Sequence, residues 1–142
     1  MRDALHEIVE EFAETPKDLR LPLLLEFANG LPPLPERLID DRDAMEPVEE
    51  CTAPLFLAVD VTPGEPVRLY FDAPQEAPTS RGFAAVLHAG LDGGTPEEIL
   101  ATPNDFYLSM GLDDLVTPLR MRGMSGMLAR VKRRVAEGIT AG

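Results

Sequence analysis

"PLFLAVDVTPGEPVRLYFD", residues 54–72, reads as two strands joined by a turn. Its first half is a continuous apolar run of strand type, its second alternates apolar and polar residues, and "TPGEP" between them has the composition of a turn. Pro54 has no N–H to give a ladder, so it belongs at the first residue of its strand or on an edge. An antiparallel hairpin alone is marginal in water, so helices must cover one of its faces. The expected class is therefore α+β, a small antiparallel sheet packed against helices.

Upstream, Leu5, Ile8, Val9 and Phe12 recur at helical spacing and predict a helix over Asp3–Glu14. "TPKD" then offers Thr15 as N-cap and Pro16 as first residue of a second helix, which would bury Leu19, Leu23, Leu24 and Phe27 and stop at Gly30. Pro22 inside it predicts a kink or a late start. Prolines 32, 33 and 35 predict that the segment up to Glu50 is extended or turned.

Downstream, "TSRGFAAVLHAGLDGG" predicts a buried helix capped by Thr79 or Ser80 and stopped by glycines. "TPEEIL" has the form of a capping box, with Thr95 as cap, Pro96 first and Glu98 reaching back. "PNDFYLSMGL" predicts a short helix anchored by Phe106. A last helix starts at the Thr117 cap, with Met124, Met127, Leu128, Val131 and Val135 as its apolar stripe.

At 142 residues the chain has the usual size of one domain, so residues 1–142 are read as a single unit without internal repeats. The formal net charge of −12 argues against a nucleic-acid or anionic-membrane partner. No apolar run approaches the roughly 18 residues of a membrane span, and "MRDALHEIVEEF" is too acidic for a signal peptide; a cytoplasmic location is expected. The charge is uneven: residues 118–142 hold six basic residues and one acid. This basic end reads as favourable placement near a helix C-terminus, or as a contact surface for an acidic partner.

Chemistry centres on one residue. Cys51 is the only cysteine, which excludes an internal disulfide and a cysteine-rich zinc site, and no spacing suggests a metal. A thiol hydrolase would need His6 or His88 held beside Cys51, and neither lies in a catalytic signature. Glu49 and Glu50 stand directly before Cys51 and oppose its ionisation, so its pKa is not expected to be low. A lone cysteine of this kind is either a small buried hydrophobe in a binding module or a sulfur acceptor ionised only within a complex.

The order of these features resembles the SufE family. "LLLEFANGLPPLPERL", the cysteine ahead of the first long strand, "SRGFAAVLHAGLDGGTPEEIL" and "DFYLSMGLDDLVTPLRMRGMSGMLARVK" follow that family's sequence of elements from about Lys17 to the final helix. The resemblance implies an α+β fold with a small sheet of two to three strands, like the IscU/NifU scaffold fold without its metal ligands, and a third strand near Met45 to Glu50. It implies a sulfur-acceptor protein, not a stand-alone enzyme, with no cofactor of its own. Cys51 would take persulfide sulfur from a pyridoxal-phosphate cysteine desulfurase, stimulating it, and pass the sulfur to an Fe–S cluster scaffold. A rhodanese-type donor is the alternative. Arg120, in "TPLR", matches an arginine near the desulfurase interface. A monomer or weak dimer is expected. Where the family has Gly before the cysteine and Ser two residues after it, this chain has Glu50 and Ala53, which implies a less mobile cysteine loop or one shaped for a different donor.

Overall fold

The computed structural model describes residues 1–141. Its helices are α1 (Asp3–Glu14), α2 (Lys17–Asn29), α3 (Glu36–Asp40), α4 (Pro78–Leu91), α5 (Pro96–Leu100) and α6 (Pro118–Ala141). The strands β1 (Glu46–Pro47), β2 (Phe56–Asp60) and β3 (Arg68–Asp72) form one antiparallel sheet in the order β1-β2-β3. Leu57 opposes Phe71 and Glu46, so the two-residue β1 adds a short edge to the hairpin. The class is α+β, as the hairpin and its flanking helical patterns imply.

The strand alternation sorts the two sheet faces. Leu57, Leu69 and Phe71 are buried toward the helices, where α4 packs on β3 and α6 on β2. Phe56 and Tyr70 face the other way and are only partly buried. The Arg42 guanidinium lies 5.3 Å above the Phe56 ring and that of Arg37 5.1 Å above the Tyr70 ring. Arg37 and Arg42 also pair with Asp60 and Asp72 of the same sheet.

Helix α4 is the centre of the helical layer. It crosses α2 and α1 at Gly82 and Gly90, where an added Cβ would lie 2.7 Å from Leu24 Cγ and 2.6 Å from Leu5 Cδ1. The α6 stripe is as read from its spacing: Met124, Met127, Leu128, Val131 and Val135 are all buried.

Several local expectations are corrected. Helix α2 begins at Lys17 and runs through the exposed Pro22 without a late start. Thr15 does not cap α2; its hydroxyl donates back to the Glu11 carbonyl, at the end of α1. In α2 the buried residues are Leu24 and Ala28, Leu23 and Phe27 are half-buried, and Leu19 is exposed because no element covers its side. The segment after the prolines is not wholly extended, since Pro35 at the N-cap position is followed by α3 and a 3-10 turn at Arg42–Ala44. Helix α4 starts at Pro78, which places Thr79 and Ser80 inside its first turn rather than at the cap. The Thr95–Glu98 capping box forms in full, and Phe106 is buried at the head of a 3-10 turn, Phe106–Met110.

Candidate functional site

Cys51 lies in the turn between β1 and β2. Its N–H donates to the Val48 carbonyl at 3.1 Å, and the Val48 N–H donates to the Leu55 carbonyl at 2.8 Å, which folds residues 48–55 into a compact loop. The loop rests on α6. Its contact stripe there is Gly123, Gly126, Arg130, Arg133 and Arg134, residues that share one helix face. The two glycines make the close approach possible. A Cβ at Gly123 would stand 2.9 Å from Cys51 Sγ, and one at Gly126 would stand 2.6 Å from Glu50 Oε1.

Charge fastens the chain ahead of Cys51 at two points, Glu46 in β1 and Glu50 in the turn. Glu50 accepts from Arg130 Nε at 2.8 Å and from Nη2 at 3.0 Å, a bidentate pair. The same guanidinium donates through Nη1 to Glu46 Oε2 at 2.5 Å. Glu46 also accepts from Arg134 Nε at 2.7 Å and from Arg133. Burial would raise the Glu46 pKa, but its hydrogen bonds from Arg134, Arg130 and Arg133 outweigh that and hold it at about 2. Hydrogen bonding to Arg130 likewise keeps Glu50 below the usual carboxylate range.

The thiol itself is half-buried against the core, and burial, with the Glu50 charge adding to it, pushes Cys51 up to about 11. Arg130 acts in the opposite direction without prevailing. Glu50 therefore opposes ionisation, as its position next to the cysteine implies. Neither histidine is paired with Cys51 among the described residues. His6 faces Glu10 at 2.9 Å, His88 faces Asp92 at 3.8 Å, and no hydrogen bond joins Cys51 Sγ to a histidine among the described residues. The contact that a thiol hydrolase would need between Cys51 and His6 or His88 is thus not formed among the described residues. No group of His, Cys, Asp and Glu capable of holding a metal occurs among the described residues, and no helix is long and apolar enough to cross a membrane.

Arg120 lies three residues before Gly123, on the same face of α6 and one turn nearer its N-terminus. Its backbone N–H donates to Thr117 Oγ1 at 3.3 Å, as the Thr-Pro cap predicts, and its side chain is exposed with no ion pair among the described residues. Leu119 beside it is 52% exposed. The structure thus puts Cys51 and Arg120 along one helix face. The five charged residues Glu46, Glu50, Arg130, Arg133 and Arg134 were not singled out from the sequence as a set. The signal for them was the acidic flank of Cys51 beside the basic excess of residues 118–142.

Residues 6–135 match the family model "SufE: Fe-S metabolism associated domain". An uncharacterized SufE-like protein of Mycobacterium tuberculosis is 57% identical over 133 residues, spanning 94% of this chain and 92% of that protein. An uncharacterized SufE-like protein of Synechocystis is 30% identical over 120 residues, spanning 84% of this chain and 72% of that protein. The solution structure of a hypothetical protein from Thermus thermophilus superposes with a TM-score of 0.86 at 41% identity, covering 99% of this chain and 98% of that one. With the family model spanning residues 6–135 and relatives matched over nearly its whole length, this chain belongs to the SufE family, whose domain is associated with Fe–S metabolism.

Proposed function

We propose that this protein is a sulfur acceptor and carrier that takes persulfide sulfur onto Cys51 from a cysteine desulfurase, stimulates that enzyme, and delivers the sulfur to an Fe–S cluster scaffold. The observation that carries this reading is the state of Cys51: a surface-turn thiol, half-withdrawn onto α6 and held protonated, with no histidine paired to it and no metal-holding group of His, Cys, Asp and Glu among the described residues. Such a thiol is a poor autonomous nucleophile, since only the thiolate attacks. It suits a residue that becomes reactive when a partner draws it out and supplies positive charge or a base.

The transfer is a thiol–persulfide exchange. Cys51 thiolate attacks the outer sulfur of the donor's persulfide. A new S–S bond forms on Cys51, the donor's S–S bond breaks, and the donor's cysteine leaves as thiolate, taking up the proton that Cys51 gave. No net oxidation occurs, so one cysteine on this chain suffices. Exposed Arg120 and Leu119, next to the cysteine seat, are the proposed desulfurase contact.

The test is incubation with a cysteine desulfurase, its pyridoxal phosphate and cysteine, followed by intact mass. A gain of one sulfur in the native chain and none in Cys51→Ser is expected. No gain from any desulfurase or rhodanese-type donor would overturn the reading. The alternative of a structural cysteine is favoured by its packing on Gly123, and it predicts that Cys51→Ala keeps every stimulatory effect on the desulfurase.

A further inference from the structure

The Cys51 turn is bound to α6 by one guanidinium that grips it at two points. Arg130 holds Glu50, the residue immediately before Cys51, through Nε and Nη2, and holds Glu46, in β1 ahead of the turn, through Nη1. Glu50 has no slack in this position, because its stem lies against α6 where a Cβ on Gly126 would come within 2.7 Å of Glu50 Cβ. Glu50 and Cys51 are adjacent, so shifting the Cys51 backbone away from Gly123 pulls on the Glu50–Arg130 pair. The two anchors differ in kind. Glu46 is only 9% exposed and keeps Arg133 and Arg134 if Arg130 lets go. Glu50 is 35% exposed, has Arg130 as its one ion-pair partner among the described residues, and is open to a competitor.

We propose that Arg130 is a positioning residue for sulfur transfer: by holding Glu50 it sets how far Cys51 is withdrawn, and it selects partners able to take over both halves of the pair. This rests on Cys51 being the sulfur acceptor. The chemistry of the selected partner follows from the broken pair. Drawing Cys51 out leaves a carboxylate and a guanidinium that must be satisfied again, since one half left unpaired in a closing interface is costly. A productive donor therefore presents a basic group to Glu50 and an acidic group to Arg130, whereas an interface of one charge sign opens the turn poorly.

Alkylation of Cys51 by iodoacetamide, followed by intact mass on the full chain at low and high NaCl, tests the latch without any sulfur donor. The variants are Glu50→Gln, Arg130→Met and Arg130→Lys. All three should alkylate faster than the native chain, by about tenfold for loss of a bidentate charge-assisted pair. The native rate should also rise with salt, and the rate of Glu50→Gln should not. If Arg130 acted on Cys51 through its charge alone, Arg130→Met would alkylate more slowly and Arg130→Lys at the native rate; either result overturns the proposal, as does a native rate indifferent to salt. Arg130→Lys keeps a cation beside Glu46, so it reports even if Arg130→Met folds poorly. Sulfur loading by a desulfurase, measured on the same proteins, should be faster in Glu50→Gln at saturating desulfurase but need more desulfurase to saturate, and an unchanged maximal rate overturns the positioning role. A native chain that accepts no sulfur at all would instead reject the acceptor reading, leaving the alkylation rates to decide whether the latch exists.

Discussion

Cys51 Sγ sits directly over Gly123 of α6, so close that a Cβ there would stand 2.9 Å away. Only hydrogen leaves room for the withdrawn thiol. Gly123→Ala should lift Cys51 from its seat. Alanine gains up to about 1 kcal/mol of helix propensity, and the local clash costs a similar amount or somewhat more. The melting temperature should therefore change by only a few degrees while the thiol alkylation rate rises severalfold. A large fall in melting temperature with unchanged reactivity would mean that the helix, and not the turn, gives way.

Glu46 supplies an acid-sensitive clasp. Its pKa is about 2 in the folded chain against an ordinary 4.5, so the stabilisation is complete above about pH 4.5 and is lost as pH falls toward 2. The Glu46 side chain is only 9% exposed, so solvent screens little of this, and the shift corresponds to roughly 3 kcal/mol. Glu46→Gln should be less stable than the native chain at pH 7, and the gap should close between pH 4.5 and pH 2. Urea midpoints across that range check this; a constant gap would assign the loss to packing.

The thiol has the opposite sign. With its pKa raised from 9.0 to about 11, Cys51 favours the folded state below pH 9, and that contribution is lost as pH rises through 11. Alkylation near neutral pH should run about a hundredfold slower than for an unperturbed exposed thiol, and it should titrate near pH 11. Cys51→Ser should remove the alkaline limb of the stability curve. A rate with its midpoint near pH 9 would show that the turn opens freely.

Legibility in the sequence followed the range of the interactions. Helix α1 was readable to its ends because four apolar residues at helical spacing are all buried, and the Thr95–Glu98 box because it is settled within one turn. The edge strand at Glu46–Pro47 followed from the family's order of elements. Helix α3 was missed because prolines 32, 33 and 35 dominate its approach, although Pro35 suits a position just before a helix. Leu19 was assigned to the core on spacing, which says which residues share a face but not whether anything covers it. The clasp on the cysteine turn joins residues 80 to 88 positions apart, beyond the reach of any local rule. Three of the six basic residues of the C-terminal segment turn out to answer the acids flanking Cys51, a role outside both readings of that charge.

Arg120 provides the sharpest separation of fold from function. Its side chain is exposed and unpaired among the described residues, so Arg120→Ala should leave stability within about 0.5 kcal/mol of the native chain. An exposed arginine beside an exposed leucine, one turn from the cysteine seat, has the composition of an interface anchor, for which truncation costs about 1–2 kcal/mol of binding. Titrating a cysteine desulfurase with Arg120→Ala should therefore require roughly tenfold more protein for half-maximal stimulation, with Cys51 alkylation unchanged because Arg120 takes no part in holding the turn. Leu119→Ala should act in the same direction. Native stimulation by both variants would remove this face of α6 from the partner contact; a cooperative melt at much lower temperature for Arg120→Ala would make that residue structural.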